Sequence, residues 1–178
     1  MSKAIGFVVV TVLAVGFLIP QLFLSKSYAM DRGIVIAASQ AEVLAVVGDL
    51  STWKGWTAWS KEADPTVVYT YVGDPATVGH GMEWTGEKLG KGSLVLTGIK
   101  ADRIEYEMEF DGQDKSAGSI VADPVEEGGL STRVVWGFSG DMEGLPYKRY
   151  FRLMMDKMVG PDFEAGLASL KRRLESAQ

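Results

Sequence analysis

Hydrophobic and polar residues alternate with a period of two between Thr66 and Gly140, in short segments separated by turn residues. The clearest segment is RIEYEMEFDG, where apolar side chains at every second position stand opposite glutamates. The segments VVYTYVG, GMEWTGE and STRVVWGFSG alternate in the same way, and GSLVLTGI is apolar at nearly every residue. Turn signals at intervals of about ten residues predict an antiparallel meander of about six strands.

Two shorter elements and one further strand are predicted ahead of this meander. The residues around Ile34 to Ile36 have the composition typical of a β-strand. Ser39, followed three residues later by Glu42, has the signature of a capping box, and it predicts a helix that ends near Gly48. We expect Ser51 to cap a second short helix, which carries a cluster of tryptophans.

After the meander the pattern returns to the period of a helix. The apolar stripe that starts from Tyr147 consists of Phe151, Met155, Met158, Phe163, Leu167, Leu170 and Leu174. Proline inside a helix removes a backbone hydrogen bond, so Pro161 predicts either one helix bent at that point or two helices in series. Asp162 and Glu164 would then lie in the first turn of the restarted helix.

The N-terminal region is a separate unit. The run AIGFVVVTVLAVGFLIPQLFL, from Ala4 to Leu24, contains no charged residue, and as a helix it would span about 31 Å, close to the thickness of a bilayer core. It is longer than the core of most signal peptides, which favours an uncleaved signal anchor over a cleaved peptide, although SYA at Ser27 to Ala29 resembles a cleavage site. We expect residues 1–25 to be a single-pass transmembrane anchor and residues 26–178 to form one extracytoplasmic domain.

Composition excludes several classes of function. The net charge of −5, without a cluster of lysine and arginine, argues against a nucleic-acid partner, because neutralising phosphate supplies most of that affinity. The chain has no cysteine, which excludes disulfides, thiol catalysis and cysteine-based zinc sites. It has one histidine, His80, and therefore no histidine-rich metal site.

Four strings, taken in order, resemble a known superfamily. They are IVIAASQAEVLAVVGDLSTWKGWTAWS, VGHGMEWTGEKLGKGSLVLTG, DRIEYEMEF and MMDKMVGPDFEAGLASLK, and the resemblance that they carry extends over almost all of the chain beyond about residue 30. The chain resembles the SRPBCC proteins, which include START lipid-transfer domains, pollen-allergen-type binding proteins and polyketide cyclase/dehydrase-like proteins. The last group is the most similar.

The resemblance implies an α+β helix-grip (START-like) fold. In that fold a curved antiparallel sheet of about seven strands wraps around a long C-terminal helix, and a deep apolar cavity lies between them. Members of the SRPBCC superfamily bind lipids, sterols, polyketides and other hydrophobic molecules. One fold supports binding, transport and cyclisation alike, so the resemblance alone does not make this chain an enzyme.

The inner face of the predicted sheet is rich in aromatic residues and methionine. Such walls line pockets for apolar ligands, and the same residues would also fill a core. The candidate ligand-binding residues are Trp56, Trp59, Tyr69, Tyr71, Met82, Trp84, Tyr106, Met108, Phe110, Trp136, Phe138, Met155 and Met158. Buried phenols need a hydrogen-bond partner, which a ligand could supply to the tyrosines.

The segment STWKGWTAWS places three tryptophans three residues apart, which cannot all share one side of an α-helix. We expect Trp53 to pack the short helix onto the domain, and Trp56 and Trp59 to lie towards the mouth of the cavity. A membrane-interface role is the alternative, but a strand and a helix separate this cluster from the anchor.

Two polar features are candidate chemical groups with more ordinary explanations. His80 lies between glycines beside a strand, which is typical of a surface turn, although a neutral imidazole can act as an acid or base. Glu105, Glu107 and Glu109 form a carboxylate row, but their alternation assigns them to the solvated outer face of a strand. Strand parity also turns Arg133 outward. We assign no catalytic residue, no metal site and no cofactor.

Three hypotheses about function follow. The first is a membrane-anchored domain that binds or shuttles a hydrophobic small molecule or lipid. The second is a cyclase or dehydratase acting on an apolar or aromatic substrate, which would need an acid or base inside the cavity. The third is an interaction module whose groove receives a protein, and it would be favoured by a large exposed apolar patch.

Overall fold

The chain alternates between helical and extended elements in the order that the hydrophobic pattern predicts. The computed structural model describes residues 16, 27–112, 115–141 and 148–176, and within the last range not the side chains of 148–153 and 155. The elements are β1 (Ser27–Ile36), α1 (Gln40–Gly48), a 3₁₀ helix (Leu50–Gly55), β2 (Val68–Val72), β3 (Gly81–Gly86), β4 (Gly90–Ile99), β5 (Arg103–Phe110), β6 (Ser116–Pro124), β7 (Thr132–Asp141) and α2 (Lys148–Glu175).

The sheet has seven strands in the order β1-β7-β6-β5-β4-β3-β2, and every neighbouring pair is antiparallel. Strands β2 to β7 form the predicted meander, and β1 joins its far edge beside β7. Helix α2 packs back against β1. The predicted sheet of about seven strands with a long C-terminal helix is therefore confirmed.

The two faces of the sheet follow the period-two pattern. On β5, Tyr106 is buried on the inner face, while Glu105 and Glu107 point outward and form ion pairs with Lys100 and Lys115. The outward placement of the glutamates is thus confirmed, and Arg133 is also exposed. Among the described residues, no group of carboxylates or histidines is arranged to hold a metal ion.

The capping box predicted at the start of α1 is present. The Ser39 hydroxyl accepts from the Glu42 amide, and the Glu42 carboxylate accepts from the Ser39 amide. The next cap differs from the prediction, because Asp49 rather than Ser51 caps the 3₁₀ helix. The carboxylate of Asp49 reaches the Ser51 amide at 2.9 Å, and so one residue ends α1 and begins the next helix.

Helix α2 runs without interruption through Pro161, and the prediction of two helices in series is wrong. The side chain of Arg32 on β1 crosses the helix beside Pro161 and pairs with Asp156 at 2.8 Å and with Glu164 at 2.7 Å. A Cβ atom at Gly160 would lie 2.4 Å from this guanidinium, so the glycine gives it room. These ion pairs connect β1 to helix residues on both sides of the proline. Glu164 takes part in one of them and does not lie in the first turn of a new helix.

The apolar stripe of α2 is buried in its second half, where Phe163, Leu167, Leu170 and Leu174 form part of the core. The inward position predicted for Met158 is wrong, since this side chain is 49% exposed. Its neighbours 154, 156 and 157 are exposed as well, so this turn of the helix is largely open to solvent. The side chains of Phe151 and Met155 lie outside the described residues.

Three aromatic rings on the inner face lie flat against glycines of the neighbouring strand. They are paired in register as Trp84 with Gly92, Tyr106 with Gly118, and Tyr28 with Gly140. A Cβ atom at Gly92 would lie 2.1 Å from the Trp84 ring, and one at Gly118 would lie 2.1 Å from the Tyr106 ring. The glycines thus fix the direction in which these rings, and their polar tips, extend across the sheet.

The predicted anchor, Ala4 to Leu24, lies outside the described residues apart from residue 16. None of the helices that the structure describes combines the length and the apolar character needed to cross a bilayer.

Candidate ligand-binding site

The tryptophan segment lies against the inner face of the sheet, and its three indoles differ in their surroundings. Trp53 is fully buried and packs the 3₁₀ helix onto the domain, as predicted, with its Nε1 donating to the Val47 carbonyl at 2.8 Å. Trp56 is 2% exposed and its Nε1 donates to the Thr52 hydroxyl, so it lies in the core and not at an opening. Trp59 is only partly buried.

Buried aromatic side chains with satisfied polar atoms form the centre of the interior. Trp136 donates its Nε1 proton to the Tyr106 hydroxyl at 2.7 Å, and its ring stacks on Phe163 of α2 at 4.0 Å. Burial raises the pKa of Tyr106 well above its ordinary value, which keeps the hydroxyl protonated. We call Trp53, Trp56, Tyr106 and Trp136 the paired core.

A second aromatic group, on β2 and β3, has polar atoms without partners. Tyr71 Oη and Trp84 Nε1 are both buried, and neither has a hydrogen-bond partner among the described residues. Burial raises the pKa of Tyr71, whose ring stacks with that of Tyr69 at 6.3 Å and has Lys54 Nζ 5.9 Å from its centre. We call Tyr69, Tyr71 and Trp84 the β2–β3 wall.

Trp59 joins the two groups. Its ring lies 6.3 Å from Trp53 and 6.2 Å from Trp136 on one side, and 5.9 Å from Trp84 and 6.3 Å from Phe110 on the other. Its carbonyl accepts a hydrogen bond from the Tyr69 hydroxyl at 2.8 Å. Burial, with nearby negative charge as a lesser cause, raises the pKa of Tyr69 to about 12, so this bond is present at neutral pH.

The structure brings most of the predicted ligand-binding residues to one face. The inner face of the sheet, together with the tryptophan segment that lies against it, carries Trp56, Trp59, Tyr69, Tyr71, Met82, Trp84, Tyr106, Met108, Phe110, Trp136 and Phe138. Met158 is exposed on α2, and the side chain of Met155 lies outside the described residues. Whether these residues bind a ligand stays a prediction.

His80 is 2% exposed, and its predicted place on the surface is wrong. Its Nδ1 lies 3.0 Å from the Val72 carbonyl and its Nε2 accepts from the Leu50 amide at 3.1 Å, an arrangement that assigns the Nδ1 proton to the Val72 carbonyl. Gly79 has a φ of +91° and lets the chain turn inward before the histidine. Both nitrogens thus hold β2 and the 3₁₀ helix together, and neither is free to act as an acid or base.

Asp64 is a fully buried carboxylate that the sequence analysis did not single out. It accepts from the amide and hydroxyl of Thr66 and from the amides of Lys88 and Leu89. These hydrogen bonds, above all that from the Thr66 hydroxyl, lower the pKa of Asp64 far below its ordinary value. The ADPT sequence is typical of an Asx turn, but only the fold shows that Asp64 also ties this segment to the β3–β4 turn.

Comparison with known families and structures agrees with this geometry. A family model described as polyketide cyclase / dehydrase and lipid transport matches residues 29–175. A search of curated proteins finds no match.

Several solved structures share the fold at low identity. Norcoclaurine synthase from Thalictrum flavum, in complex with dopamine and hydroxybenzaldehyde, superposes with a TM-score of 0.61 at 14% identity over 90% of this chain and 93% of its own. A protein from Thermobifida fusca gives 0.61 at 20% identity, over 82% and 92% of the two chains. The di-domain ARO/CYC BexL from the BE-7585A biosynthetic pathway gives 0.59 at 16% identity, over 83% of this chain and 46% of its own.

Proposed function

The chain belongs to the polyketide cyclase / dehydrase and lipid transport family, and we propose that it binds a hydrophobic small molecule or lipid between the inner face of its sheet and helix α2. The inner face is apolar and aromatic, which suits a ligand of low polarity.

The observation that carries this proposal is the pair of unsatisfied donors on the β2–β3 wall. A buried polar atom without a partner costs about 1–3 kcal/mol, and folded proteins rarely keep one without a reason. In the paired core the indole donors of Trp53, Trp56 and Trp136 all have acceptors. Tyr71 Oη and Trp84 Nε1 are thus the donors that a carbonyl or hydroxyl oxygen of a ligand would satisfy.

Binding is favoured over a cyclase or dehydratase reaction by the groups present. Acid–base catalysis needs a group within reach of the substrate whose pKa lies near the working pH. His80 and Asp64 are committed to structural hydrogen bonds, and burial raises the pKa values of Tyr69, Tyr71 and Tyr106. Norcoclaurine synthase and BexL share the fold, but at 14% and 16% identity they carry no reaction over to this chain.

The experiment is ligand capture by the full chain. The protein is purified in amphipol and incubated with a lipid extract, and native mass spectrometry compares its mass before and after. We expect one apolar molecule per chain, released by organic solvent and identified by fragmentation. A chain that captures nothing from the extract, and has a filled interior in a crystal structure, would remove the basis of the proposal.

We further propose that residues 1–25 anchor the domain in a membrane with the domain on the extracytoplasmic side. The uncharged run from Ala4 to Leu24 supports this. The full chain should resist alkaline extraction from membranes, and a reporter enzyme active only outside the cytoplasm should be active when fused after Gln178. Release by alkali, or an inactive reporter, would contradict the respective half of the proposal.

A further inference from the structure

Trp59 occupies a position that differs from those of the other described tryptophans. We propose that its indole fills the ligand site in the ligand-free protein, and that the ligand is a neutral, planar ring system with a hydrogen-bond acceptor, which displaces this indole and accepts from Trp84 Nε1. The inference rests on the proposed function and adds to it the class of the ligand and the residue that must move.

The first step is the position of the ring. The Trp59 indole lies among the rings of Trp53, Trp84, Phe110 and Trp136, at centre-to-centre distances of 5.9–6.3 Å. It nevertheless remains partly exposed, so it stands between the interior and solvent. If the indole left, the space would be bordered by aromatic rings and would lie beside Trp84.

The second step is that Trp59 lies outside the regular elements of the fold. It belongs to the stretch between Gly55 and Val68, which forms neither helix nor strand. Two hydrogen bonds hold its backbone: its carbonyl accepts from the Tyr69 hydroxyl at 2.8 Å, and its amide donates to the Thr57 hydroxyl at 3.3 Å.

The third step is the chemistry of the replacement. Trp59 is nearly parallel to its neighbours Trp53 and Trp84, with interplanar angles of 15° and 28°. A flat ring can use these faces, whereas a branched aliphatic chain cannot. Trp84 Nε1 can only donate, so the ligand must present an acceptor, and the apolar surroundings disfavour a charged one.

The test uses two bicyclic probes of similar shape, chromone, which carries a ketone acceptor, and naphthalene, which carries none. The full chain is held in nanodiscs, free probe is fixed by equilibrium dialysis, and empty nanodiscs correct for partitioning. Satisfying a buried donor predicts that the native chain binds chromone at least about fivefold more tightly than naphthalene. In Trp84→Phe this ratio should fall close to one, and taking a ratio cancels any general loss of packing.

The displacement of Trp59 is tested by removing the hydrogen bond from the Tyr69 hydroxyl to its carbonyl. In Tyr69→Phe we expect the affinity for both probes to rise several-fold, because a larger fraction of the protein has the indole displaced. The matched control is Thr132→Val, which removes another 2.8 Å bond from a hydroxyl to a backbone carbonyl, that of Ala38, at the far end of the sheet. It should leave both affinities unchanged.

Trp59→Ala should raise both affinities further, and Tyr69→Phe carries the test if that variant does not fold. Unchanged or lower affinity in Tyr69→Phe would overturn the proposal, as would a native chain that binds neither probe or does not prefer chromone. If an apolar ligand is still captured from the extract in such a case, the proposed function stands and only this inference fails.

Discussion

The paired core and the β2–β3 wall are built from the same residue types on the same inner face, yet they differ in their polar atoms. Trp53, Trp136 and Trp84 are all at most 2% exposed. The indoles of Trp53 and Trp136 each donate to an acceptor, whereas that of Trp84 has none among the described residues. Burial alone therefore does not separate an indole whose donor is satisfied within the fold from one whose donor is left for the proposed ligand.

The difference shows which part of the inner face satisfies its own polar atoms. A satisfied buried hydrogen bond contributes about 0.5–1.5 kcal/mol, while a buried donor without a partner costs about 1–3 kcal/mol. The paired core should therefore respond to substitution as an ordinary core does. In the β2–β3 wall, removing the polar atoms of Tyr71 and Trp84 that have no partner among the described residues should cost little stability and should weaken the proposed ligand binding instead.

The largest expected effect is at the centre of the paired core. Trp53→Ala removes a fully buried indole and its hydrogen bond, and should lower the free energy of unfolding by about 3–5 kcal/mol. Chemical denaturation followed by circular dichroism measures this. A loss below about 1 kcal/mol would mean that the paired core is not the structural centre of the domain.

The second effect concerns Asp64, which fastens the segment that carries Trp59. Asparagine has one acceptor atom where the carboxylate has two, so Asp64→Asn should lower the melting temperature at pH 7 by several degrees. The pKa of Asp64 is lowered on folding, so its contribution is fully present above the unfolded value of 3.8 and is lost as the pH falls through the folded value.

The difference in melting temperature between the native chain and Asp64→Asn should therefore narrow as the pH is lowered below about 4. Thermal unfolding from pH 7 to pH 2 measures it. A difference that is constant across this range would show that ionisation of Asp64 does not contribute to stability.

The third effect is smaller and concerns the hydrogen bond inside the paired core. Tyr106→Phe leaves the Trp136 indole proton without an acceptor in a fully buried place, and should destabilise the domain by about 1–3 kcal/mol. Urea denaturation with a constant m-value measures the change. If this variant is as stable as the native chain, the hydrogen bonds of the paired core do not distinguish it from the wall.

The smallest effect on stability is expected for the matching change in the wall. Tyr71→Phe removes a hydroxyl without a partner, and should change the free energy of unfolding by less than about 0.5 kcal/mol or increase it. The same variant should capture less of the apolar ligand in native mass spectrometry. A loss of stability equal to that of Tyr106→Phe, with capture unchanged, would assign Tyr71 to the core.

Much of this architecture could be predicted because it depends on local patterns. Alternation along β5 places Tyr106 inward and Glu107 outward whatever the neighbouring strands are, and the capping box of Ser39 and Glu42 lies within four residues. The surface position predicted for His80 is wrong because its hydrogen-bond partners, the Val72 carbonyl and the Leu50 amide, belong to other elements. The inward position predicted for Met158 is wrong because a helical period shows which side of a helix is apolar. It does not show whether another element packs against that side.

The seven strands, the long C-terminal helix and the aromatic residues of the inner face could be predicted, since periods of two and of 3.6 residues are properties of neighbouring positions. Which of the aromatic polar atoms are satisfied depends on the tertiary structure. Trp136 finds Tyr106 across thirty residues of chain, and Trp84 lies over Gly92, where its indole proton finds no acceptor among the described residues. Such partners depend on strand register and on the packing of distant segments, which are not contained in any local pattern.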